Sequence, residues 1–492
     1  MGNNRKSLKS NIIFNFVSQI ITYLAPFIVA PYLSRVLTPV GVGEYSFGYS
    51  IVYYFSIIVI FGFTSYGTRQ ISAFRNNKTE YSKVFWNTFW TRLIFFIFCS
   101  VGYVVCVINN VFSPSVDDSI YFALILCLLG DVLDITFLYQ GLDEFKLISY
   151  INILINFIYI VSVFLCVKNR NDLFIYTILK SSIKVGVSIC LWLFSVGKIN
   201  KPTISIKSSL NIFKGSFVFF LPSLVMHISP SIDQTMLGYL SNNIEVSYYQ
   251  QNHKIIVLVA SLIYSIGPIM LSKMSYLHQQ KDSNEIMNKM EQLIHIACLF
   301  MFPATAGLYS IAAYFVPAYF GSEYAPSVIV MYCFLPSIIF SSLSSLIING
   351  YYYPSNKAMR CTIFMAISVF INIIANLFVV ECFGAAGVAL TSSISSFIAL
   401  VLLIIFSKKD IAYIRILKKI WKSILCSVIM TIVIMLINFL WAIFGLNSNI
   451  LITLFDTILG VAIYVIFIFI TKDELAITIW NDFILKLRKR DD

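Results

Sequence analysis

Long apolar runs separated by short polar turns recur along the whole chain, and this alternation predicts membrane-spanning helices. Bilayer hydrocarbon about 30 Å thick needs about 20 apolar residues per helix. Runs of that length occupy 10–32, 45–65, 84–108, 119–140, 147–167, 173–196, 211–240, 248–272, 293–315, 326–349, 358–380, 384–406, 421–445 and 450–471. The pattern predicts an all-α polytopic membrane protein of about 14 transmembrane helices. The first run follows three basic residues, as a signal peptide would. It is long, however, carries Asn15, Ser18 and Gln19, and shows no small-x-small cleavage site, so it reads as a retained helix.

The pattern also begins twice. Asn11 to Leu33 is broken by Pro26 and Pro31, and Asn211 to Leu240 by Pro222 and Pro230; both end in Tyr-Leu-Ser. At an offset of about 207 residues the inside loop 66–83 maps onto 273–290 and the outside loop 109–118 onto 316–325. Two parallel six-helix repeats plus two C-terminal helices follow. The expected divisions are 1–196, an N-terminal six-helix lobe; 197–406, a C-terminal six-helix lobe; and 407–492, two extra helices with a basic tail. Proline-broken helices opening two similar halves are a transporter pattern, and the four prolines are candidate hinges.

Composition agrees: 59% of residues are hydrophobic and 12% charged, against roughly a quarter charged in soluble domains. The net charge of +12 would suggest nucleic acid if it were not so unevenly placed. With the N-terminus inside, 28 of the 35 Lys and Arg fall in inside segments, three fall outside (Arg35, Lys168, Arg170) and four lie within apolar runs. That is a positive-inside bias, and it predicts cytoplasmic termini. The ten cysteines sit almost entirely within the apolar runs, in no metal-binding or CxxC spacing. The outside turns are too short to hold the acid, base or metal groups of a membrane glycan enzyme. No Gly-rich phosphate loop is present either, so no ATP-driven step is expected within the chain.

A charge at the bilayer centre costs at least about 2.5–3.5 kcal/mol, so the charges inside the runs are the candidate chemistry. The cations are Arg92, Lys180, Lys184 and Lys254; the acids are Asp131, Asp134, Asp233 and Asp456; His227 and His253 could titrate. Lys180 and Lys184 share a helix face, as do Asp131 and Asp134. Four cations and four acids can simply pair across helices. Alternatively Asp131, Asp134 and Asp233, with His253, couple movement of H⁺ or Na⁺; no other cofactor is expected.

Three stretches carry a family resemblance: Pro31-Tyr32-Leu33-Ser34-Arg35-Val36-Leu37 followed by Gly41-Val42-Gly43-Glu44-Tyr45, then Phe137-Leu138-Tyr139-Gln140-Gly141-Leu142-Asp143-Glu144-Phe145, and Gly384-Ala385-Ala386-Gly387-Val388-Ala389. With them the chain resembles the polysaccharide-transporter branch of the multidrug/oligosaccharidyl-lipid/polysaccharide exporters, and within it O-antigen repeat-unit flippases of the Wzx type. It departs from them at Phe137, where Trp is usual, and at Val246-Ser247-Tyr248, where Gly-x-Tyr is usual. The resemblance implies a cargo, an undecaprenyl-pyrophosphate-linked oligosaccharide moved to the periplasmic leaflet by alternating access. It also implies a polysaccharide polymerase and a chain-length regulator as partners. Lys180, Lys184, Lys254, Arg35 and Arg92 are then the candidate cations for the pyrophosphate. The alternatives are a drug/cation antiporter on the same fold and a membrane enzyme of lipid-linked glycan assembly.

Overall fold

A computed structural model describes residues 24–478 apart from 114, 204, 266, 281, 282, 409 and 445–447; the side chains of Pro222 and His227 also lie outside it. Every regular element among the described residues is helical. In order they are α1 (Leu24–Val36), α2 (Thr38–Ile60), α3 (Phe63–Ala73), α4 (Lys78–Ile108), α5 (Asp118–Leu133), α6 (Thr136–Gly141), α7 (Phe145–Cys166) and α8 (Leu173–Ser195). There follow α9 (Ile206–Leu240), α10 (Asn243–Tyr264), α11 (Gly267–Gln280), α12 (Ser283–Phe320), α13 (Val328–Ile347), α14 (Ala358–Ser407), α15 (Tyr413–Ile443) and α16 (Asn449–Ile470). Ten helical stretches among the described residues are long and apolar enough to cross a membrane. The stretch Ala358–Ser407 holds two spans, because its backbone turns at Gly384 (φ 52°, ψ −137°). The expectation of about 14 spans agrees with this layout once α1, α9 and the more polar α10–α11 are included.

The chain forms two compact units, Met1–Gln250 and Gln251–Asp492. The division falls inside α10, beyond the expected repeat boundary at 196/197, because α9 packs on α2, α3 and α4 of the first unit. Within that unit α5 lies against α2 and α8, α7 covers α8, and α3 packs on α6. Within the second, α13 lies against α14, and α12 packs on α13, α15 and α16. Outward faces are apolar, as on α16, where Leu451, Ile458 and Val461 are exposed. In water such a surface would be unstable; in lipid it is the ordinary exterior.

The repeat reappears as paired contacts. In the first unit Tyr139 donates its hydroxyl to the carbonyl of Leu191 (2.6 Å), and in the second Tyr352 donates to that of Leu403 (2.9 Å). Beside the first pair stands the ion pair Lys198–Glu144, and beside the second Lys357–Asp410 (3.2 Å), with the signs exchanged. The Tyr351 hydroxyl bonds the Asp410 carboxylate as well, and with Lys357 it holds the Asp410 pKa below the usual carboxylate value.

One glycine of the first resemblance stretch has a packing reason. A Cβ on Gly43 in α2 would stand 1.7 Å from the carbonyl oxygen of Asn243 at the start of α10, so the backbones meet where only hydrogen fits. Gly43→Ala is expected to lower the amount of folded protein in the membrane sharply, since overpacking commonly costs about 1–3 kcal/mol and backbone cannot yield as a side chain can. Wild-type abundance on an immunoblot of membranes would count against this contact.

Candidate functional site

Several charged side chains of the first unit gather at the end of α5. The sequence predicts one span over 119–140, but the helix breaks at Asp134 (φ −65°, ψ 109°). The Asp134 carboxylate then accepts the amide of Thr136 (2.9 Å), which starts α6. A helix that ends inside a membrane leaves carbonyls without partners. Arg92 of α4 supplies them. Its Nη1 donates to the carbonyls of Asp134 (2.5 Å) and Asp131 (3.3 Å), and its Nη2 to the Thr64 hydroxyl (2.6 Å). Its guanidinium also lies 5.5 Å from the centre of the Phe137 ring. The residue is 1% exposed, so Arg92 meets the protein, not a headgroup, in this conformation.

Lys184 of α8 pairs with the Asp131 carboxylate, whose side chain is 2% exposed while that of Lys184 is 51% exposed. The ammonium is thus anchored on one side and open on the other. One turn earlier Lys180 has no acid against it among the described residues; its Nζ sits 5.0 Å over the ring of Tyr159. In this structure Lys184 thus has an acid partner, and Lys180 is held by an aromatic face.

Tyrosines border these lysines. Tyr45, Tyr49 and Tyr53 follow one another along α2 with ring centroids 6.0 Å apart, and Tyr176 meets Tyr45 at 4.9 Å. Tyr49 and Tyr53 remain partly exposed. The ladder was legible in principle, since residues four apart share a helix face. A chain holding 29 tyrosines hides such a pattern among packing residues.

The other candidates lie elsewhere. Asp233 in α9 is 1% exposed and accepts the Tyr249 hydroxyl (2.6 Å). One residue on, Gln234 donates to Gln250 (2.6 Å), while the Thr235 hydroxyl accepts from Tyr54 (2.9 Å) and shares a hydrogen bond with the Ser50 hydroxyl (2.9 Å), tying α9 to α2. In the second unit Lys254 donates to Gln251 (2.8 Å) and the His253 ring lies 5.7 Å from that of Phe334. Arg35 is exposed and donates to the Pro31 carbonyl (3.0 Å). Pro26 and Pro31 lie in α1, and Pro222 and Pro230 in α9, which runs unbroken to Leu240. Sequence reasoning passed over a buried polar run on both arms of α14: Thr391 donates to Asn376, and Asn376 (3.4 Å) to Asn372. Uncharged residues raise no alarm in an apolar stretch, and that is why it was missed.

Helices of this length, in two units with matching contacts and buried charged groups, define a transporter-fold membrane protein. Residues 8–271 match the model of the family described as "Polysaccharide biosynthesis protein". The chain belongs to that family. Among curated proteins it is similar to a "Putative O-antigen transporter" of Escherichia coli (strain K12), 22% identical over 355 residues that cover 70% of this chain and 83% of the relative. It is also similar to one of the same name from Shigella dysenteriae, 23% identical over 414 residues covering 82% of this chain and all of the relative. Among solved structures it shares a fold with "Lipid II flippase MurJ, inward closed conformation" at TM-score 0.70, with 19% identity, 94% of this chain and 98% of that one covered. An inward-facing multidrug resistance MATE transporter of the MOP superfamily follows at TM-score 0.62, with 12% identity and coverage of 80% and 94%.

Proposed function

We propose that this protein is a flippase for lipid-linked oligosaccharide repeat units, carried on undecaprenyl pyrophosphate from the cytoplasmic to the periplasmic leaflet. The observation that carries the reading is Lys184, anchored by Asp131 yet half open, with Lys180 one turn away and partly exposed tyrosines beside them. A pyrophosphate is a dense anion that ammonium groups meet as point charges. Sugar rings present flat C–H faces to which tyrosine rings are suited. The polyprenyl chain needs no protein cavity, because it is as apolar as the lipid around it. The O-antigen names of the curated relatives support this cargo. An antiporter of cationic drugs would want a net acidic site, which these lysines oppose.

Asp131 gives the empty site a resting partner. With no headgroup present it neutralises Lys184 and limits the cost of an isolated charge in low dielectric. With a headgroup present the ammonium is shared between two anions. Alternating access would then turn on the proline-containing α1 and α9, with Pro26, Pro31, Pro222 and Pro230 as hinges. The driving force is the membrane potential or an H⁺ or Na⁺ gradient. An inside-negative potential moves an anionic headgroup outward, at roughly 2.3 kcal/mol per charge per 100 mV for full passage. Both termini lie in the cytoplasm of the inner membrane, and a polymerase with its chain-length regulator receives the product.

The test is reconstitution. Vesicles holding the purified protein and a fluorescent undecaprenyl-pyrophosphate oligosaccharide are expected to move label between leaflets without ATP, and faster under an imposed potential or ion gradient. Label movement no faster than in protein-free vesicles, with folded protein verified, would sink the proposal.

A further inference from the structure

A second charged feature stands apart from the lysine–tyrosine site and plays no part in the transport reading. In the second unit a cavity of about 630 Å³ opens where α12, the first turns of α15 and the segment after α16 come together. Arg415, Lys418, Lys419 and Lys422 line it. They occur at intervals of three, one and three, so all four fall on one side of α15 at about 100° per residue. Cations in the first turns of a helix run against its dipole, whose N-terminal end already carries partial positive charge. Some compensation is needed, and part of it is visible.

Glu291 of α12, its side chain 4% exposed, takes Arg415 at 2.7 Å and Lys419 beside it. Asp473 is paired with His295 at 2.9 Å, and both are nearly sealed. Burial raises the Asp473 pKa, but His295, the Ala476 amide and Lys422 outweigh it and hold the carboxyl below its usual value, so it stays ionised. These pairs leave Lys418 and Lys422 toward the opening. Lys422 donates to the Lys472 carbonyl (3.0 Å), a neutral group, and acts on Asp473 through space. Lys418 is exposed and has no partner among the described residues.

The flank of the same turns next to Lys418 is apolar and uncovered. Ile414, Leu417 and Trp421 are 74%, 59% and 52% exposed. On the helical wheel Lys418 stands between this apolar stripe and the cationic one. A tryptophan at that level is the usual mark of the membrane–water interface. Cationic groups and an exposed apolar stripe therefore adjoin along one helix, on the side that the charge bias assigns to the cytoplasm.

We propose that this cavity binds the phosphate of an anionic phospholipid of the cytoplasmic leaflet, with Lys418 and Lys422 on the headgroup and the acyl chains along Ile414, Leu417 and Trp421. A free anion such as inorganic pyrophosphate shares the headgroup chemistry but could not use the apolar stripe. The lipid source is therefore the one proposed.

The experiment uses the purified full-length chain. Retention of phosphatidylglycerol against phosphatidylcholine is read by native mass spectrometry, and thermal unfolding is followed with each lipid and with inorganic pyrophosphate. Phosphatidylglycerol is expected to be retained and to raise the unfolding temperature, while phosphatidylcholine and pyrophosphate do neither at equal concentration. A basic side chain near an anionic surface contributes about 1 kcal/mol, so Lys418→Gln with Lys422→Gln should weaken phosphatidylglycerol binding about thirtyfold. Lys207→Gln with Lys273→Gln removes the same charge from the same side of the membrane and should leave binding unchanged. Should the double variant fold poorly, Lys418→Gln alone, which breaks no contact among the described residues, should weaken binding about fivefold. Equal retention of the two lipids, equal binding by wild type and Lys418→Gln, or equal loss in the control pair would overturn the proposal. Matching stabilisation by pyrophosphate would replace a lipid site with a soluble-anion site.

Discussion

Lys184→Ala is expected to abolish surface polysaccharide, and adding Asp131→Ala is expected to restore membrane abundance without restoring export. The two residues are paired, and Asp131 is sealed while Lys184 is half open. Removing the lysine alone strands a carboxylate in a low-dielectric interior. For a fully buried pair that costs about 3–5 kcal/mol, and less here because one partner reaches an open space. Removing the acid as well relieves that penalty, so folded protein should return. Transport should not return, because the headgroup has lost its cation and deleting an anion cannot replace it. Lys184→Arg should retain part of the activity. The measurement is a double-mutant cycle with abundance and surface polysaccharide scored in the same cells. Export regained in the double variant would show Lys184 to be a structural partner only, and the cargo would have to be held elsewhere.

Arg92→Met should have the larger effect on the protein itself. The guanidinium satisfies the Asp131 and Asp134 carbonyls and the Thr64 hydroxyl. Methionine fills comparable volume but donates nothing. Each orphaned buried acceptor costs about 1–3 kcal/mol, so the two carbonyls at the helix break alone take a large share of the stability of a typical domain. The variant is expected to be nearly absent from membranes, and any purified remainder should unfold at a much lower temperature. Arg92→Lys should recover part of the loss, since an ammonium can reach some of the acceptors but lacks the planar fork. Normal abundance of Arg92→Met with export lost would instead place Arg92 on the cargo path.

These two residues mark where sequence reasoning held and where it stopped. Both stand out as charges in apolar runs, and pairing across helices was one of the readings left open for them. The work of Arg92 was not legible. Its partners are backbone carbonyls exposed by a break at Asp134, and hydropathy reads 119–140 as one uninterrupted span. A helix break of this kind depends on a donor about forty positions upstream in the chain, which no local window contains. The spans themselves were legible because the bilayer imposes a length on each. The tyrosine ladder of α2 and the Thr391–Asn376–Asn372 run were not, because neither residue type is scarce or costly enough in such a chain to single out a position.

Gly384 joins the two arms of α14 with no connecting loop, in a backbone conformation open to little besides glycine. Surface loops are where related proteins ordinarily accumulate insertions and change what they recognise. At this corner there is no segment to lengthen. Relatives sharing the corner can vary here only by exchanging side chains on the two arms it joins. An added stretch of chain here would disrupt the fold before it could alter selectivity.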